Sequence, residues 1–97
     1  MHTITAKFTV KEDQIEAFEA FFKDEKTGFH FTRSQSGCKY IEVVKAEGGV
    51  YLVWEKWNAK ADWETYVAAR QTLGHFDTMG PMFAAAPEFA HYCDTGF

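Results

Sequence analysis

Residues 50–57 read VYLVWEKW, and the fold turns on them. In an extended chain, successive side chains point to opposite faces. Tyr51, Val53, Glu55 and Trp57 therefore share one face, while Val50, Leu52, Trp54 and Lys56 share the other. Both faces carry large apolar groups. An antiparallel sheet packed under helices on one side ordinarily shows a polar face on the other. Here the second face also needs cover. A second copy of the same sheet is the simplest cover, so these eight residues predict a symmetric homodimer through the sheet face.

The flanking segments extend this strand into a domain. Upstream, CKYIEVVKA at 38–46 has strand character, and the EGG at 47–49 reads as a hairpin turn between the two. At the N-terminal end, TITAKFTV at 3–10 alternates, with Ile4, Ala6, Phe8 and Val10 on one face and Thr3, Thr5, Lys7 and Thr9 on the other. A helix follows to about Lys26, its first turn holding Glu12 and Asp13, where acids suit the helix dipole. Gly28 interrupts it, and FHFTRS continues as a loose turn or two. Downstream, Asn58 opens a helix containing Ala59, Ala61, Trp63, Tyr66 and Val67. Another helical stretch runs from Gln71 to Ala85, bent at Gly80-Pro81. After Pro87, EFAHYCDT alternates as a last strand. The order is β-α-β-β-α-β. It predicts one α+β domain over residues 1–97, a ferredoxin-like four-stranded antiparallel sheet with helices on one face.

Composition narrows the function classes. The chain is 97 residues long, 46% hydrophobic and 18% aromatic, with ten phenylalanines. That is much apolar surface for one small domain, which again points to burial by a partner. The net charge of −4 and the lack of any Lys/Arg cluster argue against nucleic acid. No apolar run approaches membrane-spanning length. MHTITAKFTV lacks the charged head and long apolar run of a secretory signal, and two cysteines make no disulfide framework. A reducing, cytoplasmic setting is expected. The histidines form no i, i+4 pair and no HxH, so neither a metal nor another cofactor is expected.

In pattern, nearly the whole chain resembles the antibiotic biosynthesis monooxygenase family, the dimeric α+β barrel proteins. The resemblance is carried by Gly37-Cys38 before the second strand, by Trp54-Glu55-Lys56-Trp57 closing the third, and by the aromatic helix from Ala61 to Val67. It implies a cavity inside each protomer, between sheet and helices. It also implies, for some members, oxygenation of quinols or polycyclic aromatic compounds without metal or flavin. A carbon acid loses a proton, and the electron-rich product reacts with oxygen directly. A non-catalytic small-molecule binding protein on the same fold is the alternative. Many members carry a histidine where Tyr66 aligns. A haem-degrading branch uses an asparagine near Ala6, and alanine cannot supply that hydrogen bond, which weakens a haem-binding reading.

Candidate site residues follow. His75, in LGHFDTM, is the available base, since histidine alone titrates near neutrality unaided; read structurally, it is a surface residue beside Asp77. Trp63 and Tyr66 share a helix face and form an aromatic wall with a polar tip, or simply pack on the sheet. Phe76, Met79 and Phe83 make an apolar stripe. With Trp54 placed on the helix side beside Ile4, Ala6 and Phe8, the expected pocket is bounded by Trp54, Trp63, Tyr66, Phe76, Met79 and Phe83. His75 stands near its mouth as proton acceptor, and Tyr66 is the second catalytic candidate, a poor base but a good hydrogen-bond partner for a substrate. Trp57 is expected toward the partner subunit. Glu55, with Lys7 as counter-charge, is expected to be a structural group on that same side.

Overall fold

The computed structural model describes residues 1–97. Four strands, β1 (His2–Thr9), β2 (Cys38–Ala46), β3 (Val50–Trp57) and β4 (Glu88–Cys93), form one sheet in the order β2-β3-β1-β4. Every pairing is antiparallel. Four helices intervene: α1 (Ile15–Lys23), α2 (Phe29–Arg33), α3 (Lys60–Thr72) and α4 (His75–Met79). This is the expected β-α-β-β-α-β order, with each helical region in two pieces. Cys38 and Cys93 lie on the opposite edge strands and are both free. No helix is long and apolar enough to cross a membrane.

The helix bounds differ from those that the periodicity predicts. α1 ends at Lys23 rather than near Lys26, because Asp24 turns extended. The chain then folds back so tightly that a Cβ on Gly28 would stand 1.9 Å from the Phe22 carbonyl oxygen. Only glycine allows α2 to begin there. The α3 helix runs through to Thr72, and the left-handed Gly74 separates it from α4.

Register decides which face is which. Ile4 pairs with Glu55, Ala6 with Val53 and Phe8 with Tyr51, while Thr5 pairs with Trp54. Directly opposed residues share a face. The helix side therefore carries Tyr51, Val53, Glu55 and Trp57, all buried, with Trp57 fully so. Two expectations are corrected here. Trp54 is not on the helix side: it lies on the open face and is 44% exposed. Trp57 does not face outward but packs on Ile4 and Tyr66. Alternation separated the two indoles correctly, but it could not say which set meets the helices. Lys7 also lies on the open face, 3.9 Å from Glu88, and is no counter-charge for Glu55.

The helix side holds three small apolar clusters. Val10, Phe18, Tyr51 and Met82 form one under α1; Ile4, Trp57 and Tyr66 form one under α3; Ala6, Ile41 and Val53 lie between them. The open face presents Tyr40, Val44, Trp54 and Tyr92, each roughly half exposed.

Candidate active site

Between the central strands and the helices lies a cavity of about 440 Å³. Volumes of about 300–1,000 Å³ are usual for small-molecule sites. Its floor is Ala6 and Phe8 of β1 with Val53 and Glu55 of β3. Small side chains at 6 and 53 leave the space open at the centre of the sheet. α3 supplies Trp63, Tyr66, Val67 and Arg70, which recur at helical spacing on one face. Phe76 and Met79 of α4, then Phe83 and Phe89, complete the wall. Phe22 and Phe29 close one side as a stacked pair 4.5 Å apart. Phe83 lies parallel to Phe8 at 5.4 Å, and Trp63 meets His91 edge-on at 4.8 Å.

Five of the expected pocket residues thus line one cavity: Trp63, Tyr66, Phe76, Met79 and Phe83. Trp54 is absent from it, for the register reason given above. His75 is also misplaced by the expectation. It is 6% exposed, forms no part of the cavity wall, and lies edge-on to Phe21 and Phe31. Its Nδ1 is 2.9 Å from Nη1 of Arg70. Arginine only donates, so Nδ1 accepts and the ring hydrogen sits on Nε2. Burial, and then the Arg70 charge, push its pKa down, which keeps the ring neutral.

Two polar residues of the cavity were missed or misassigned. Arg70 is 2% exposed, and all five of its N–H groups are spent. Nε donates to Tyr66 Oη. Nη1 donates to the Thr27 carbonyl at 2.6 Å and to His75, and Nη2 to the Gly28 carbonyl and Thr32 Oγ1, both at 3.0 Å. Its plane lies over Phe22, Phe31 and Tyr66 at 5.0–5.6 Å. It ties α3 to α2 and α4 and brings a positive charge to the cavity with no donor left to give. The spacing of Trp63, Tyr66 and Arg70 was the legible signal for it.

Glu55 is the other. It is 5% exposed on the helix side, not on the open face. Trp57 Nε1 donates to Oε1 at 2.9 Å, the carboxylate's one hydrogen bond within the protein. Burial raises its pKa above the ordinary glutamate value, against smaller opposing effects of that bond and of Arg70. Tyr66 Oη lies 2.8 Å from Thr32 Oγ1, and burial pushes the phenol's pKa up, so it is no base at neutral pH. No group of three metal-ligating side chains exists in the chain.

Several solved structures share this architecture. A Nitrosomonas europaea protein assigned by name to the antibiotic biosynthesis monooxygenases is 15% identical, with a TM-score of 0.84 over 98% of this chain and 99% of its own. Rv0793 from Mycobacterium tuberculosis is 15% identical, with a TM-score of 0.82 over 96% and 93%. SnoaB, a cofactor-independent oxygenase from Streptomyces nogalater, is 17% identical in a mutant form, with a TM-score of 0.77 over 97% and 92%. At such identities the likeness concerns the fold. No protein with a curated description matches the sequence. The family model for antibiotic biosynthesis monooxygenases matches residues 1–79, from the first strand through α4. The chain belongs to the antibiotic biosynthesis monooxygenase family.

Proposed function

We propose that the protein is a cofactor-independent monooxygenase of a quinol-like or polycyclic aromatic compound, working as a homodimer joined through the open sheet face. The observation that carries this reading is the cavity: about 440 Å³, aromatic on most sides, with a carboxylate on its floor. Such walls hold a flat ring system by stacking and edge contacts and exclude water from it. The reaction is balanced without a further reagent. A ring carbon bearing hydrogen, activated by a hydroxyl or its keto tautomer, loses a proton. The resulting anion gives its electrons to dioxygen, and a carbon–oxygen bond forms. The peroxide then loses water. One oxygen atom ends in the quinone and the other in water. Trp63, Phe76, Met79 and Phe83 serve as the substrate-holding wall, with the Tyr66 ring beside them.

The dimer is supported by the open face, where Tyr40, Val44, Trp54 and Tyr92 stay half exposed around the central strands. Covering that face leaves the cavity of each protomer on the opposite side of its own sheet.

Anthrone in an oxygen electrode tests the reading. Enzyme in chelator-containing buffer should consume one dioxygen per anthraquinone formed and release no hydrogen peroxide. Binding of anthrone with no rate above the spontaneous background would instead identify a binding protein.

A further inference from the structure

The polar end of the cavity has a definite hydrogen-bonding sense. Arg70 has no free N–H, because five acceptors on α2, α3, α4 and the preceding turn take all five. Tyr66 Oη is already held by Arg70 and Thr32. Trp57 Nε1 is spent on Glu55. Glu55 Oε2 has no protein partner, and Glu55 lines the cavity. The free acceptor at this end is Glu55 Oε2, and the donors are reduced to the one hydroxyl hydrogen that Tyr66 and Thr32 do not use between them.

We propose that Glu55 is the catalytic residue that receives the substrate's hydroxyl: Oε2 accepts its hydrogen bond, orients the ring, and takes its proton when oxygen reacts. This rests on the oxygenase reading for the chemical step, but not for the binding step. In the transfer, the O–H bond breaks and the proton passes to Oε2. The electron pair remains on the substrate and delocalises to the ring carbon that meets dioxygen. Loss of a proton from carbon in the keto tautomer leads to the same anion. The protonated carboxyl then returns its proton to the outer peroxide oxygen; the O–O bond breaks, that oxygen leaves as water with the hydrogen of the ring carbon, and the carbon becomes the quinone carbonyl. Burial among Val53, Trp57 and Tyr66 fits Glu55 for this exchange, since a carboxylate with a raised pKa is a stronger base. The fixed charge of Arg70 steadies the anion without binding it directly. A ligand carboxylate meets the Glu55 charge, and no Arg70 N–H is free to offset it.

Matched bicyclic probes test this on the intact protein. By tryptophan quenching near pH 8, 1-naphthol should bind at least ten-fold more tightly than 1-methoxynaphthalene, which cannot donate, and than 1-naphthoate. In Glu55→Gln the naphthol preference should fall below about three-fold, with 1-methoxynaphthalene affinity unchanged. That substitution leaves an amide oxygen for Trp57. Should the variant fail to fold, the wild type alone decides. Its preference for naphthol should weaken as pH falls through the raised Glu55 pKa, because the accepting charge is lost. The charged and titratable groups around this carboxylate are Arg70, Tyr66 and Cys38; burial pushes the Tyr66 and Cys38 values up, so neither changes charge as Glu55 titrates. Naphthoate binding as tightly as naphthol, or a preference indifferent to Glu55→Gln and to pH, would overturn the assignment. Anthrone turnover is read separately: a loss of about 10²–10⁴-fold in kcat is expected for Glu55→Gln. Absence of wild-type turnover with the naphthol preference intact would overturn only the oxygenase reading.

Discussion

Glu55 and Arg70 act on stability in opposite directions. A group whose folded pKa lies above its unfolded value contributes stability that is complete below the unfolded value and lost as pH rises through the folded one. Burial raises the Glu55 pKa, so its carboxylate weighs against the folded state as pH climbs above the ordinary 4.5. Glu55→Gln should therefore raise the urea midpoint at pH 7.5, with the gain shrinking toward pH 4.5. A lower midpoint for the variant at pH 7.5 would contradict a desolvated carboxylate. Stability gained as activity is lost is the mark of a group kept for its chemistry. Arg70 is the reverse case. Arg70→Met would strip hydrogen bonds from Tyr66, Thr32, His75 and two carbonyls. At about 1–3 kcal/mol for each buried group left unpaired, a loss of at least about 3 kcal/mol is expected in urea unfolding. Much of this was legible only in part. That Glu55 and Trp57 share a face is visible in VYLVWEKW. That this face meets the helices depends on Ile4 lying opposite Glu55, a pairing of residues some fifty positions apart that no local pattern encodes. The sequence reading of His75, a proton acceptor at the cavity mouth or a surface residue beside Asp77, misses its burial because nothing in LGHFDTM reveals the contact with Arg70.

At the scale of elements, the strands were legible because period-two alternation is set by the sheet itself, and all four lie within two residues of the expected bounds. The helix ends were less so. The return after α1 is decided by the contact of Gly28 with the Phe22 backbone, a packing fact rather than a propensity. Gly28→Ala should consequently be costly although its φ of −90° suits any residue. Overpacking costs about 1–3 kcal/mol, and a backbone clash belongs at the upper end. Since the Gly28 carbonyl also accepts from Arg70, the same change should loosen α2 and raise hydrogen exchange at Thr32. On the other side of α1, Glu19 joins Lys45 of β2 and Tyr51 of β3, and these bonds hold its pKa at about 2. Its contribution is present above the unfolded value of 4.5 and disappears as pH falls toward 2. Tyr51→Phe should thus lessen the loss of stability in acid, measured by urea unfolding between pH 5 and 3.

For the whole molecule, the proposed function gives the two faces of the sheet separate roles, interface on one and site on the other. Trp54 and Trp57 report them separately. Trp54→Lys places a charge on the open face and should halve the mass seen by sedimentation at micromolar concentration while leaving the protomer folded. Trp57→Lys buries a charge beside Ile4 and Tyr66 and should prevent folding altogether. A dimer that survived Trp54→Lys would remove the open face as the interface. The central claim is that oxygen chemistry takes place in the helix-side cavity. Val67 lines that cavity without belonging to its polar end, so Val67→Trp fills the space and spares Glu55 and Arg70. The most direct measurement is anthrone turnover under ¹⁸O₂, with the product weighed by mass spectrometry, for the wild type and for folded, dimeric Val67→Trp. The account predicts one heavy oxygen in the anthraquinone made by the wild type and no enzymatic product from the variant. Equal turnover by the filled variant, or a quinone without the label, would contradict it.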